Sequence, residues 1–120
     1  MENKQDNSPT ITREELKNWL DQHYPFVLIE SLSEEQFRQG HLPSAINLLP
    51  EKVKEMAPNL LRDKHQQIVV YCASSTCEAS EHAARTLAEM GYENVLRYVE
   101  GKKDWSEAGL PLEGGESKAE

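Results

Sequence analysis

The sequence predicts a small α/β domain with helices on both faces of a mainly parallel sheet. Three observations lead there. Two short apolar runs, Phe26-Val27-Leu28-Ile29 and Ile68-Val69-Val70-Tyr71, are continuous rather than alternating, as strands buried on both faces are. Segments of helical period stand between and after them. In the second half the order is strand, helix, strand, a unit that pairs its strands in parallel through a right-handed crossover. At 120 residues the chain has the length of one ordinary domain.

Residues 1–9 and 113–120 lack apolar periodicity and read as frayed tails around a domain at 10–112. The first helix starts at Thr12, which forms a capping box with Glu15, while Ile11 is placed to staple against Leu16. Leu16, Trp19 and Leu20 share one face, and Tyr24-Pro25 ends the helix. After the strand at 26–29, Ser33 with Gln36 opens a short helix that stops at Gly40. Glu34 and Glu35 suit the positive end of its dipole and are no catalytic carboxylate pair. Residues 45–48 read as a short strand, 51–57 as a helix ended by Pro58, and Leu60-Leu61 as a further turn. The strand at 68–71 leads into a polar loop, 72–77. The helix at 78–90 carries Ala83, Ala84, Leu87 and Met90 on one face, with Gly91 just past its end. A strand at 94–99 follows, then a helix at 103–108 anchored by Trp105 and stopped by Gly109.

Composition removes several functions. Thirteen basic against 21 acidic residues leave a charge of −8, which repels phosphate backbones and argues against nucleic-acid binding. The apolar runs are four residues long, far short of the roughly 20 that a membrane-spanning helix needs. The polar N-terminus has no apolar signal segment, so a cytoplasmic location is expected, and separately a monomer. Two cysteines are too few for a disulfide scaffold, and in a reducing cytoplasm both are expected as thiols.

Cys72 is the informative residue. In open α/β sheets ligands sit beyond the carboxyl ends of the strands, and Cys72 stands there, a few residues before a helix N-terminus whose amides and dipole favour negative charge. A thiol so placed has a lowered pKa and is nucleophilic as thiolate. The small residues Ala73, Ser74, Ser75 and Thr76 can bend into a nest of amides around an anion. Position alone leaves open a second reading, a buried strand-end cysteine that serves as a small hydrophobe.

Six segments in order narrow the choice: Gly40-His41-Leu42-Pro43-Ser44-Ala45-Ile46-Asn47, Val70-Tyr71-Cys72, Ala83-Ala84-Arg85-Thr86-Leu87, Gly91-Tyr92-Glu93-Asn94-Val95, Gly101 through Trp105, and Gly109-Leu110-Pro111. With them the chain resembles the single-domain rhodanese-like sulfurtransferases over residues 10–112. The resemblance implies a rhodanese-like three-layer sandwich and no cofactor or metal. It also implies a Cys72 that becomes a persulfide, taking sulfur from a donor such as thiosulfate or a persulfide and passing it to a thiol or cyanide. The amides of residues 73–78, from Ala73 to Glu78, would stabilise the persulfide anion. At His41 the family role is structural capping.

The departures are as specific as the matches. The step from Cys72 to Ala83 is eleven residues where the family commonly has nine, and the loop has neither Gly nor Arg. Loss of Arg weakens the case for anionic thiosulfate. Asp-x-Arg at the first strand end has become Glu30-Ser31-Leu32, which removes a usual ion pair; a Gly-Gly pair has become Glu100-Gly101, and a small Gly has become Ser44. Six residues after the cysteine stands Glu78, not the Arg of phosphatase loops.

Cys77 is the rival nucleophile, but that choice would leave only six residues to Ala83; it is otherwise a resolving thiol for Cys72 or has no redox role. A metal site of Cys72, Cys77 and His82 lacks a fourth ligand and ordinary zinc spacing. His82, His23 and His65 read as surface residues, and the tyrosines and tryptophans as core and rim packing. Two alternatives to the enzyme stay open: a non-catalytic rhodanese-like binding or regulatory module, and a thiol redox switch of Cys72 and Cys77.

Overall fold

The computed structural model describes residues 9–114. Four strands form one parallel sheet in the order β2-β1-β3-β4: β1 (Val27–Glu30), β2 (Ile46–Asn47), β3 (Gln67–Tyr71) and β4 (Asn94–Tyr98). Alternation along the strands divides the core in two. Ile29, Ile68, Val70 and Val95 face α3 (Val53–Leu60) and α4 (Ala79–Glu89), meeting Val53, Ala57, Ala83, Ala84 and Leu87. Leu28, Val69, Tyr71 and Tyr98 pack on the other face with Leu16 of α1 (Arg13–Asp21), Phe37 of α2 (Glu34–Arg38) and Trp105 of α5 (Gly101–Glu107). The result is the expected three-layer sandwich.

Local signals place most boundaries. Thr12 and Ser33 each complete a capping box, with Glu15 and Gln36. Gly91 and Gly109 follow α4 and α5 with φ of +100° and +81°, a conformation that favours glycine. The strand expected at 26–29 is shifted by one, and Phe26 instead packs beside Trp19 at the rim.

Two expectations need larger correction. Pro58 does not end the third helix, which runs on to Leu60. The carbonyl that Pro58 leaves without an amide belongs to Lys54, which is exposed to water, so the loss is cheap. Leu61 N donates to Ala57 O, and the Tyr92 hydroxyl donates to Leu61 O, fixing the helix end. The last helix begins two residues early, at Gly101, where φ of +74° follows the two-residue turn Val99-Glu100 after β4.

The expected tails lie largely outside the described residues. Within them the chain is tied down at both ends. Arg97 N donates to Pro9 O and Ile11 N to Arg97 O, laying the N-terminal segment beside β4. Glu113, read as tail, exchanges two backbone hydrogen bonds with His41, and its side chain accepts from Ser44 N. Ser44 itself has φ of +69°.

Candidate functional site

Cys72 sits where β3 leaves the sheet, between β1 and β4. It is buried, at 1% exposure, and by alternation lies with Ile68 and Val70 on the α4 face. The structure joins it to Cys77 in a disulfide, with Cα atoms 6.4 Å apart. The expected pair of thiols is therefore seen in its oxidised form, and the five-residue spacing does let the sulfurs meet.

The loop between them is built of turns. Cys77 N donates to Ser74 O at 3.1 Å, so this amide serves the loop rather than facing an anion. The hydroxyls of Ser74 and Thr76 pair with each other at 3.0 Å. Ala73, Ser74 and Cys77 are half-buried, whereas Ser75, Thr76 and Glu78 are exposed. Glu78 is the N-cap of α4, and no side chain caps that helix. From below, the loop is held by α5: Lys102 N donates to Cys72 O and Lys103 N to Ala73 O. These bonds require a close approach. A Cβ on Gly101 would lie 2.5 Å from Cys72 O and 2.9 Å from Ser74 N, so no larger residue fits.

The ion pair thought lost at the end of the first strand is present with different members. Glu30 is wholly buried; its Oε2 accepts from Lys102 Nζ at 2.9 Å and its Oε1 from the Tyr71 hydroxyl at 2.6 Å. Lys102 Nζ also donates to the carbonyls of Gln36 and Gly40. The cation comes from 72 residues away instead of two, so local motif reading could not find it. Burial, with Glu30 beside it, pushes the Tyr71 hydroxyl pKa far above its ordinary value.

A second buried polar pair was also missed. Ser80, in the first turn of α4, lies with its Oγ 3.7 Å from Cys72 Sγ, and Arg97 Nε donates to the same oxygen at 3.4 Å. Arg97 is 6% exposed and stands in a strand where it shares its face with the apolar Val95. A charged residue at an inward position of such a strand was the signal available in the sequence.

Beside the loop opens a cleft of about 620 Å³, lined among others by Ser31, Gln36, Glu51, Glu78, Glu81 and Arg85. Arg85 is paired with Glu81, leaving Glu51 and Glu78 to make the cleft acidic. Ser31 Oγ, buried at its edge, has no hydrogen-bond partner. His82 also lines the cleft and is exposed on α4. Among the described residues no three His, Cys, Asp or Glu side chains gather as metal ligands would, and no helix is long and apolar enough to cross a membrane. His41 caps α2 through Nδ1 and Phe37 O at 2.9 Å, the structural role expected of it, while His23 and His65 are exposed.

The family model for the rhodanese-like domain matches residues 12–108. The chain is 33% identical over 79 residues to the thiosulfate sulfurtransferase PspE of Escherichia coli, covering 66% of this chain and 65% of that protein. It is 32% identical over 89 residues to the HTH-type transcriptional regulator Rv0324 of Mycobacterium tuberculosis, covering 74% of this chain and 38% of the regulator. The chain thus spans less than two thirds of the length of these curated relatives. The solution structure of the rhodanese-like domain of the Alr3790 protein from Anabaena superposes with a TM-score of 0.81 at 27% identity, over 93% of this chain and 84% of that one.

Proposed function

This chain belongs to the rhodanese-like domain family, and from that premise we propose that it is a sulfurtransferase carrying sulfane sulfur on Cys72. The observation that supports this most is the place of Cys72, at the carboxyl end of a central strand and below the uncapped N-terminus of α4. The reduced Cys72 thiolate attacks the terminal sulfur of a donor. The new bond is Sγ–S; the donor's own bond to that sulfur breaks, and its electron pair leaves as sulfite from thiosulfate or as thiolate from a persulfide. An acceptor thiolate, or cyanide, then attacks the outer sulfur and Cys72 leaves as thiolate. No metal or organic cofactor takes part.

The disulfide supports the part of a resolving thiol for Cys77. Its thiolate attacks the inner sulfur of the protonated Cys72 persulfide, forms the Cys72–Cys77 bond and expels hydrosulfide. Two thiol sulfurs are oxidised and the sulfane sulfur is reduced, so the step balances without another reagent. A thiol reopens the bridge. Cys77 is the more exposed of the two, so an incoming thiolate reaches it first and frees Cys72. This cycle suits a reducing compartment such as the cytoplasm.

The acidic cleft is the place where the acceptor docks. Glu51 and Glu78 repel thiosulfate and favour a neutral or cationic thiol, either small or on a protein. Intact mass of the reduced protein tests the whole reading, after incubation with thiosulfate and then with a small persulfide. A gain of about 32 Da that Cys77→Ser keeps and Cys72→Ser abolishes is the expected result. No gain from either donor would instead favour a binding module. Loss of about 2 Da with no sulfur-bearing species at any time would favour a simple redox switch.

A further inference from the structure

We propose that Ser80 and Arg97 are positioning residues that hold the Cys72 sulfur as thiolate, supplying from beneath the sheet edge the cationic support that the loop lacks. This rests on the reading of Cys72 as nucleophile. Three elements converge there: Cys72 after β3, Ser80 in α4 and Arg97 in β4. Alternation sets Arg97 on the same sheet face as Val95, and register sets it beside Val70, two residues before Cys72.

The direction of the hydrogen bonds follows from the groups. A guanidinium can only donate, so Ser80 Oγ must accept from Arg97 Nε. The single hydroxyl hydrogen is then left to point elsewhere, and Cys72 Sγ lies within reach. A thiolate accepts that hydrogen; a neutral thiol gains much less from it. Ser80 is 1% exposed, so water does not compete for the contact. One hydroxyl thus conveys the influence of a buried cation to the sulfur.

Other titratable groups surround the site. Cys77 and Glu78 lie in the loop, Glu81 and His82 at the start of α4, Glu100 and Lys103 around the start of α5. Glu30 with Lys102 and Tyr71 sit on the opposite sheet face. None of them hydrogen-bonds Sγ or Ser80 Oγ; Glu81 is paired with Arg85, and Glu78 opposes the thiolate rather than favouring it.

The test is the pH dependence of alkylation of Cys72 by iodoacetamide, in reduced protein carrying Cys77→Ser so that one thiol reports. Ser80→Ala and Arg97→Met are each expected to raise the midpoint by about one pH unit and to slow alkylation about tenfold at pH values well below the parent midpoint. Ser80→Thr, which restores the hydroxyl, returns the midpoint toward the parent value. Above the thiol midpoint the rates converge, whereas general damage to the site would slow alkylation at every pH. An unchanged midpoint in folded Ser80→Ala overturns the proposal, and this variant carries the test alone should Arg97→Met not fold. A raised midpoint in a protein that never gains sulfur would leave the positioning intact and refute the sulfurtransferase reading instead.

Discussion

Replacing Lys102 by Met isolates the buried carboxylate of Glu30 while keeping most of the side chain's bulk. Glu30 has no contact with water, and its two oxygens are shared between Lys102 and Tyr71. Breaking a buried ion pair from one side typically costs about 3–5 kcal/mol, because the remaining charge is uncompensated. Lys102 keeps 18% side-chain exposure, which admits some water to the vacated position and places the expected loss near the lower bound, about 3 kcal/mol. A domain of this size loses about 4 °C of Tm per kcal/mol, so Tm should fall by about 12 °C. Glu30→Gln should cost less, about 1–2 kcal/mol, since Lys102 retains the carbonyls of Gln36 and Gly40 and Tyr71 still has an oxygen to bond. The double variant should be at least 1 kcal/mol more stable than the sum of the single losses, because it leaves no stranded charge. Urea and thermal unfolding of the four proteins, disulfide intact, measure this cycle. Additivity within about 0.5 kcal/mol would refute the argument, for it would mean that the two charges do not feel each other.

Two further outcomes follow from the same region. Gly101→Ala should destabilise the protein by about 2 kcal/mol or more and slow sulfur loading of Cys72, because it adds a backbone clash to the 1–2 kcal/mol of left-handed strain. Gly109→Ala, at φ +81° with open space around it, is the control and should lose only the strain; equal losses in the two variants would rule out the clash. Alkaline stability offers an independent check. The Tyr71 pKa is raised in the folded state by burial, so its contribution is complete below the unfolded value near 10 and is lost as pH rises above it, at about 1.4 kcal/mol per pH unit. Denaturation followed between pH 9 and 11.5 should therefore show a shallower decline in Tyr71→Phe than in the parent; identical slopes would remove Tyr71 as the cause.

The parts of this molecule that the sequence discloses are those whose cause is local. Thr12 with Glu15 and Ser33 with Gln36 announce helix starts because each box closes within one turn. Gly91 marks a helix end through its own backbone freedom, and the position of Cys72 follows from the apolar strand before it. What stayed hidden is set by partners far along the chain. Glu30 finds Lys102, and Arg97 finds Ser80, only once the sheet order is known. Both charged residues nevertheless stand out as they are, at inward positions among apolar neighbours, where a charge without a partner would not be tolerated. Pro58 misled for a related reason: whether a missing amide ends a helix depends on whether the stranded carbonyl reaches water, and that is a property of the fold.

The N-terminal segment beside β4 bears on self-association. A four-stranded open sheet has two outer strands, each a row of unsatisfied amides and carbonyls onto which another chain could add. On one side β2 is only two residues long, too short to template a partner. On the other, the carbonyl of Pro9 and the amide of Ile11 already occupy both backbone groups of Arg97, near the end of the exposed edge. Pro9 has no amide of its own to offer outward. The segment laid along this edge therefore grips the same residue whose side chain reaches Ser80, so loosening it would expose the edge of β4 and disturb the contacts beneath Cys72 together.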